Sequence, residues 1–168
     1  MLPCNVRLSN KGFTLIETLV IIVIVGVLAA IAAPSFLTWY SKVKINNALA
    51  ELEGALKEAQ REAIRKSQNC TVTVPGGSNP VLTASPTNCF VTGDRTLKDV
   101  SLRTGVSSIT FNYKGGGSSA GTIVLSPVSG TITNQKCLVI AAGIGLMRSG
   151  SYLNSDTSGT NPDNCTTF

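Results

Sequence analysis

The sequence predicts an α+β protein in which one long N-terminal helix packs on a small antiparallel β-sheet domain. An uncharged apolar run from Leu19 to Ala33 leads into an amphipathic helical pattern that continues to about Lys66. From Cys70 onward Thr, Val, Ser, Gly and Pro dominate, which is typical of short strands joined by turns. The change in composition near residue 68 therefore marks the start of the sheet domain.

The N-terminal apolar region contains one carboxylate. The stretch from Phe13 to Ala33 is long enough to cross a bilayer as a helix, and Glu17 lies inside it, one turn after Phe13. A charged side chain at membrane depth costs about 2.5–3.5 kcal/mol on insertion scales, so Glu17 is a functional candidate that needs a partner. The pattern Thr14-x-x-Glu17 also fits a capping box, in which the acid only stabilises the start of the helix.

The motif Gly12-Phe13-Thr14-Leu15-Ile16-Glu17 follows a short basic leader and precedes the apolar helix. It resembles the class III signal peptide of type IV pilins and type II secretion pseudopilins. The resemblance implies that residues 1–12 are a leader, that a prepilin peptidase cleaves between Gly12 and Phe13, and that Phe13 is N-methylated. It also implies that Glu17 faces the new α-amine of a neighbouring subunit, where the two charges neutralise each other.

Beyond the leader, the helix divides into two segments. Residues 13–37 form the predicted transmembrane segment, Pro34 is the predicted kink, and Trp39 with Tyr40 suits the membrane interface. Residues 38–67 form an amphipathic helix, which serves either as a coiled-coil seam or, as a β-rich segment follows directly, as the spine for a sheet. Its apolar stripe consists of Ile45, Ala48, Leu49, Leu52, Ala55, Leu56, Ala59 and Ala63.

Residues 68–168 form the predicted β-rich domain. The glycine-rich segment Gly115–Ser119 is expected to be a flexible hairpin loop, and the polar tail Ser149–Phe168 a loop tied down by Cys165. The predicted strands are Cys70–Val74, Val81–Ala84, Cys89–Thr92, Ser107–Tyr113, Gly121–Ser126, Thr131–Thr133, Lys136–Ala142 and Gly145–Arg148.

The cysteines indicate an oxidising compartment. Of the five, Cys4 lies in the leader, and an even number remains beyond the helix. These four are Cys70, Cys89, Cys137 and Cys165. No CxxC pair occurs, which argues against a metal or redox site. Four cysteines allow three pairings, of which locality along the chain favours Cys70–Cys89 and Cys137–Cys165.

The C-terminal half is similar to the GspH/FimT type of pseudopilin domain. The resemblance covers the runs Ile109–Gly115, Gly121–Ser126, Lys136–Ile140 and Gly145–Gly150. It implies a minor subunit, present in few copies near the tip of a filament. The partners it implies are other pilin or pseudopilin subunits, the prepilin peptidase and inner-membrane lipid.

Some FimT relatives bind DNA through a C-terminal Gly-Arg-x-Arg motif. The corresponding residues are Gly145-Leu146-Met147-Arg148, where only the second arginine matches. Lys136, with Lys114 and Arg103, completes a possible basic patch for phosphate groups around Arg148. The alternative interpretation is that these cations are scattered and solvated. DNA binding during uptake is therefore the alternative function.

Composition argues against an enzyme. The chain has no histidine, and its acidic residues show no paired spacing. The Gly115–Gly117 run is not followed by the Lys-Ser/Thr of a phosphate loop. We expect no cofactor and no catalytic residue. The net charge of +5 falls to +3 without the leader, which carries Arg7 and Lys11, and the leader and the cysteines together place the N-terminus in the cytoplasm and the bulk outside.

Processing gives the first prediction. Protein isolated from filament-forming cells should begin at Phe13 and carry one N-terminal methyl group, because cleavage exposes the amine that Glu17 is expected to face. Mass spectrometry of the mature N-terminus measures both features. A chain that still begins at Met1 would contradict the leader interpretation.

Overall fold

The computed structural model describes residues 12–128 and 134–167. The chain forms two compact units, one up to Trp39 and the other from Tyr40 onward. Most of the predicted leader and the predicted strand Thr131–Thr133 lie outside the described residues. The fold is the expected α+β combination of a long N-terminal helix and an antiparallel β-sheet domain.

The helix α1 runs from Leu15 to Arg65, and its backbone stays helical at Pro34. The kink expected at that proline remains a prediction. Just beyond the helix, Ser67 adopts a left-handed conformation with φ of 51°. The Gln68 amide donates to the Ala63 carbonyl at 3.1 Å and the Ser67 amide to the Ile64 carbonyl at 3.2 Å. This is a Schellman motif with serine in the position that usually holds glycine.

The amphipathic half of α1 buries the predicted stripe. Leu52, Ala55, Leu56, Ala59 and Ala63 are fully buried, Ile45 and Ala48 nearly so, and Leu49 is half-buried against the same core. Two ion pairs with i,i+4 spacing also form along the helix, between Glu53 and Lys57 at 2.5 Å and between Glu62 and Lys66 at 3.0 Å. The stripe is therefore the spine of the sheet domain.

The strands of the described residues are short and follow α1 in chain order. They are β1 (Cys70–Thr73), β2 (Gly77–Ser78), β3 (Val81–Ser85), β4 (Arg95–Thr96), β5 (Val100–Thr104), β6 (Ser108–Phe111), β7 (Gly121–Pro127), β8 (Lys136–Ile140), β9 (Met147–Tyr152) and β10 (Cys165–Thr167). One sheet has the order β4-β3-β1-β6 and the other β10-β9-β8-β7-β5-β2, with antiparallel pairing throughout.

Both sheets and the stripe share one apolar core. Val72 of β1, Ile109 of β6, Leu102 of β5, Ile123 of β7 and Leu138 of β8 are all buried in the same cluster as the helix. A smaller cluster on the opposite face of the six-stranded sheet consists of Val124, Cys137 and Tyr152, with Cys165 partly buried beside them. The six-stranded sheet therefore buries apolar side chains on both faces.

Three sequence predictions are wrong in this region. Cys89–Thr92 is not a strand: Thr87–Cys89 forms a 3₁₀ turn, and Cys89 is buried. The tail is not a plain loop, because β9 continues to Tyr152 and Cys165–Thr167 pairs with it as β10. The Gly115–Ser119 loop is not a loose hairpin, because its three glycines are buried. No strand is predicted from the sequence at 100–104, where β5 pairs with β7.

Two disulfides close the domain. Cys70 pairs with Cys89 and Cys137 with Cys165, which are the pairs favoured by locality along the chain. The first joins β1 to the turn before Phe90, and the second joins β8 to β10. A β-carbon at Gly150 of β9, which lies between β8 and β10 in the sheet, would collide with the Thr166 backbone. The close approach of β10 therefore requires glycine there.

The serine at the helix end gives the second prediction. Ser67→Gly should stabilise the protein by about 0.5–1 kcal/mol, because the left-handed backbone costs a residue with a β-carbon roughly 1–2 kcal/mol and glycine returns about half of that as unfolded-state entropy. Denaturant unfolding of the detergent-solubilised chain measures the difference. Ser155→Gly, at an exposed loop position, is the control and should not stabilise. A destabilised Ser67→Gly variant would contradict the prediction.

Candidate assembly site

The start of α1 presents Glu17 in a capping arrangement. The Glu17 amide donates to the Thr14 hydroxyl at 3.3 Å, and the Thr14 amide donates to the Glu17 carboxylate at 3.5 Å. The second distance is at the limit for a hydrogen bond. Phe13, directly before this turn, is exposed. Within the chain, Glu17 therefore has a reciprocal cap and a carboxylate that is loosely held.

The segment after this turn is apolar on every side. Leu15–Ala33 is long and apolar enough to cross a membrane, with a mean hydropathy of 2.9, and none of it is buried within the structure. Leu19, Val23 and Ile31 are each more than half exposed. A helix that is hydrophobic all round needs lipid or other helices as its surroundings.

The residues after the span carry aromatic and cationic side chains. The rings of Phe36 and Trp39 lie 5.8 Å apart. In the second unit, the Lys44 ammonium lies 4.6 Å from the Tyr40 ring centre and forms a 2.8 Å ion pair with Asp99. The hydrogen bond to Asp99 raises the pKa of Lys44 above its ordinary value. This pair ties the first turns of the amphipathic segment to the loop between β4 and β5.

The structure separates the cations of the predicted basic patch. Lys136 shares the core-facing side of β8 with Leu138, and its ammonium donates to the Ser151 hydroxyl at 3.0 Å. Arg148 of β9 is paired with Val139 of β8. Val139 lies three residues after Lys136, so Val139 and its partner Arg148 lie on the opposite face of the sheet from Lys136. Lys136 and Arg148 therefore do not form one surface.

Arg103, another cation of the predicted basic patch, binds residues of the C-terminal half of the domain. Its guanidinium donates to the Gln135 side chain and to the Asp156 carbonyl, the latter at 3.2 Å, and lies 5.8 Å from the Tyr152 ring centre. It therefore holds the C-terminal loop to the sheet. Lys114 lies in the loop between β6 and β7, with its ammonium 5.5 Å from the Tyr113 ring centre.

Asp156 organises the loop between β9 and β10. Its carboxylate accepts hydrogen bonds from the Tyr152 hydroxyl at 2.7 Å, the Gly159 amide at 2.6 Å and the Asn164 side chain at 2.9 Å. These donors, with Tyr152 contributing most, lower the pKa of Asp156 to about 2. The loop that looks featureless in sequence is therefore pinned by one charged centre.

The sequence matches a known protein family. The family model described as type II transport protein GspH matches residues 48–143, which is more than half of the chain. The chain belongs to the GspH family. The prokaryotic N-terminal methylation motif matches residues 7–33 of this GspH-family chain, and so covers Gly12, Phe13 and Glu17.

Curated relatives of the GspH-family chain are fimbrial proteins. It is 31% identical over 106 residues to the type IV major pilin protein PilE1 of Neisseria gonorrhoeae, covering 63% of this chain and 55% of that pilin. It is 34% identical over 106 residues to fimbrial protein Q of Moraxella bovis, covering 54% of this chain and 68% of that protein.

Solved structures share its fold. The type IV minor pilin FimU of Pseudomonas aeruginosa (strain PAO1) superposes with a TM-score of 0.51 at 15% identity, covering 68% of this chain and 98% of that one. The pilin-like arrangement predicted for the GspH-family chain, a helix packed on an antiparallel sheet domain, is thereby confirmed.

Sequence reasoning missed two residues that hold the GspH-family domain together. Gln60 donates to the carbonyls of Gly115 and Gly145, 55 and 85 residues away, so no local pattern indicates it. Asp156 has a detectable signal, because an aspartate followed three residues later by glycine is typical of a side-chain-capped turn.

Asp156 gives the third prediction. Because its folded pKa is about 2, against roughly 3.9 in unfolded chains, its contribution to stability is complete above about pH 4 and is lost as pH falls towards 2. Glu62, whose pKa is also lowered to about 2 by Arg65 and Lys66, contributes in the same window. The denaturation midpoint of Asp156→Asn should therefore fall less steeply between pH 4 and 2 than that of the wild type.

The same measurement on Asp163→Asn is the control, since Asp163 is an exposed acid on the same loop. That variant should retain the wild-type slope. An Asp156→Asn protein whose midpoint falls as steeply as that of the wild type would refute the role of this carboxylate.

Proposed function

We propose that this chain is a minor pilin or pseudopilin subunit that assembles through its N-terminal helix into a type IV pilus or a type II secretion pseudopilus and primes or caps the tip of the filament. One observation carries the proposal. A continuous apolar helical segment from Leu15 to Ala33 is exposed on all sides, and it contains a single carboxylate, Glu17, one turn after Phe13. The similarity to fimbrial proteins and to the fold of a type IV minor pilin supports it.

The apolar segment is suited to two surroundings in turn, the lipid bilayer and the helices of other subunits. Before assembly, residues 13–37 lie in the inner membrane, with the N-terminus cytoplasmic and the sheet domain outside. During assembly the same side chains exchange lipid for the apolar helices of neighbouring subunits, at little cost in hydrophobic free energy. Residues 1–12 leave by prepilin peptidase cleavage before this step.

Glu17 directs the assembly. Cleavage after Gly12 would create a positive α-amine at Phe13, which is exposed at the helix start. The carboxylate of one subunit and the amine of the next form an ion pair in a medium of low dielectric constant, where an uncompensated charge is costly. Each new subunit therefore binds more tightly when its helix is placed so that both charges are neutralised.

The role is structural, as is general for pilin and pseudopilin subunits. DNA binding through Lys136 and Arg148 gains no support from their placement on opposite faces of the sheet. We therefore keep filament assembly as the proposed function and treat DNA as a competing ligand in the final experiment.

Glu17 gives the fourth prediction. Glu17→Gln keeps a side chain that can cap the helix but removes the charge. It should therefore lower incorporation into filaments at least about tenfold, a loss typical of a buried charge left unpaired. Thr14→Val removes the hydroxyl from the cap and keeps the charge, so it should incorporate nearly as well as wild type. Quantitative immunoblotting of sheared filaments against the membrane fraction measures both variants.

The pair of variants separates the two interpretations of Glu17. If the acid served only as a cap, Thr14→Val would be the more harmful change and Glu17→Gln would be tolerated. Equal membrane levels of the two proteins are the required control. Wild-type incorporation of Glu17→Gln would remove the ion pair from the account.

A further inference from the structure

Large exposed apolar side chains gather at one end of the sheet domain. Ile64 on the last turn of α1, Tyr113 in the loop between β6 and β7, and Ile144 and Leu146 in the loop between β8 and β9 are 49%, 53%, 73% and 42% exposed. We call these four residues the end surface. Hydrogen bonds bring their three segments together, so the cluster is a property of the fold and not of the sequence.

The support beneath the end surface is rigid. The Gln60 side chain donates to the Gly115 carbonyl at 2.6 Å and to the Gly145 carbonyl at 3.3 Å. The Gly143 amide donates to the Gly117 carbonyl at 2.9 Å. Gly145 has φ of +64°, and a β-carbon there would lie 2.5 Å from the Gly115 carbonyl oxygen. The loops are therefore locked to the helix and to each other.

The rim of the end surface is cationic. Lys114 follows Tyr113 and Arg61 precedes Ile64 by one helical turn, and both are exposed. The loops 112–120 and 141–146 contain no acidic residue. The acids on the neighbouring turns of α1 are already paired, Glu58 with Arg95 and Glu62 with Arg65 and Lys66.

We propose that the end surface docks another pilin-type subunit, which presents apolar side chains ringed by carboxylates. The inference rests on the proposed function and adds a second contact, outside the N-terminal helix. Exposed apolar side chains gathered on a rigid platform mark an interaction site, and a cationic rim selects an acidic partner face. An apolar centre with a charged rim is also the usual anatomy of a protein interface.

Nucleic acid fits this surface less well. A phosphate backbone would use the rim cations but leave Ile64, Ile144 and Leu146 dehydrated without compensating apolar contacts. Stacking of bases needs aromatic platforms, and Tyr113 is the only aromatic residue of the end surface. A protein partner satisfies both the apolar centre and the charged rim.

Photo-crosslinking in filament-forming cells tests the proposal on the full chain. A photoreactive residue at Ile144 should crosslink to a pilin-type subunit, and mass spectrometry should map the contact to an apolar site flanked by Asp or Glu. The same residue at Val20, within the apolar helix, reports assembly itself. Crosslinks at Val20 without crosslinks at Ile144 would overturn the end surface alone, and failure at both positions would overturn the proposed function with it.

Point variants then test the chemistry of the contact. Ile144→Asp should reduce crosslinking from a photoreactive residue at Leu146 at least about tenfold, as expected for the loss of an interface anchor. Leu153→Asp is the matched control, because Leu153 is 52% exposed on the C-terminal loop, and it should have no effect. Intact disulfides by mass spectrometry confirm folding of both. An unchanged yield with Ile144→Asp would refute docking at this surface.

The charge of the rim gives the last comparison. Lys114→Glu should weaken crosslinking, Lys114→Arg should preserve it, and a Lys substitution at the mapped acid of the partner should restore the yield of Lys114→Glu. Absence of that restoration would overturn the acidic partner face. Crosslinks to DNA or to lipid in place of a subunit would overturn the proposal and assign the surface to that ligand.

Discussion

The apolar stripe of α1 holds the sheet domain together. Both sheets meet on it, and residues from β1, β5, β6, β7 and β8 are buried in one cluster with Leu52 and Leu56. Burying each such leucine contributes about 1.5–3 kcal/mol. Ala55, Ala59 and Ala63 are fully buried on the same face, where small side chains let strands approach the helix closely. Within residues 12–128 and 134–167, neither sheet has another element of comparable length to pack on, so the rest of the domain depends on this face.

The two halves of α1 follow different rules because their surroundings differ. From Ile45 onward, the buried apolar residues keep to one face, since the other faces meet water and carry ion pairs such as Lys57 with Glu53. From Leu19 to Ala33 there is no polar face at all. One continuous helix thus combines a segment that completes its packing within the chain with a segment that needs lipid or other subunits.

How well the sequence predicted each part depended on how local the controlling interactions are. The stripe from Ile45 to Ala63 follows helical periodicity and was predicted residue by residue. The strand β5 was missed, although Val100 and Leu102 alternate with polar residues, because two-residue β4 and a turn around Asp99 precede it. Cys89 is followed by Phe90 and Val91, and this apolar run predicts a strand. Its disulfide to Cys70 instead fixes Cys89 in a turn.

Long-range contacts explain the remaining differences. The glycines at 115–117 predict flexibility when considered alone, yet Gln60 and Gly143 bond their carbonyls and bury them. The polar tail predicts a loop, but Asp156 and the disulfide at Cys165 order it enough for β10 to pair with β9. Lys136 and Arg148 of the predicted basic patch lie on opposite faces for a related reason, because strand register and not charge count decides which cations share a face.

The capping box and the proposed ion pair of Glu17 are compatible. In the isolated chain the carboxylate lies 3.5 Å from the Thr14 amide, a weak bond on an exposed turn. A charged amine offers that carboxylate a hydrogen bond roughly twice as strong as one from a neutral donor, so a neighbouring subunit would win the exchange. The Thr14 hydroxyl would still cap the Glu17 amide, because that bond does not involve the carboxylate. We infer that the cap holds Glu17 in the conformation from which it changes partner during assembly, without unwinding the first turn of the helix.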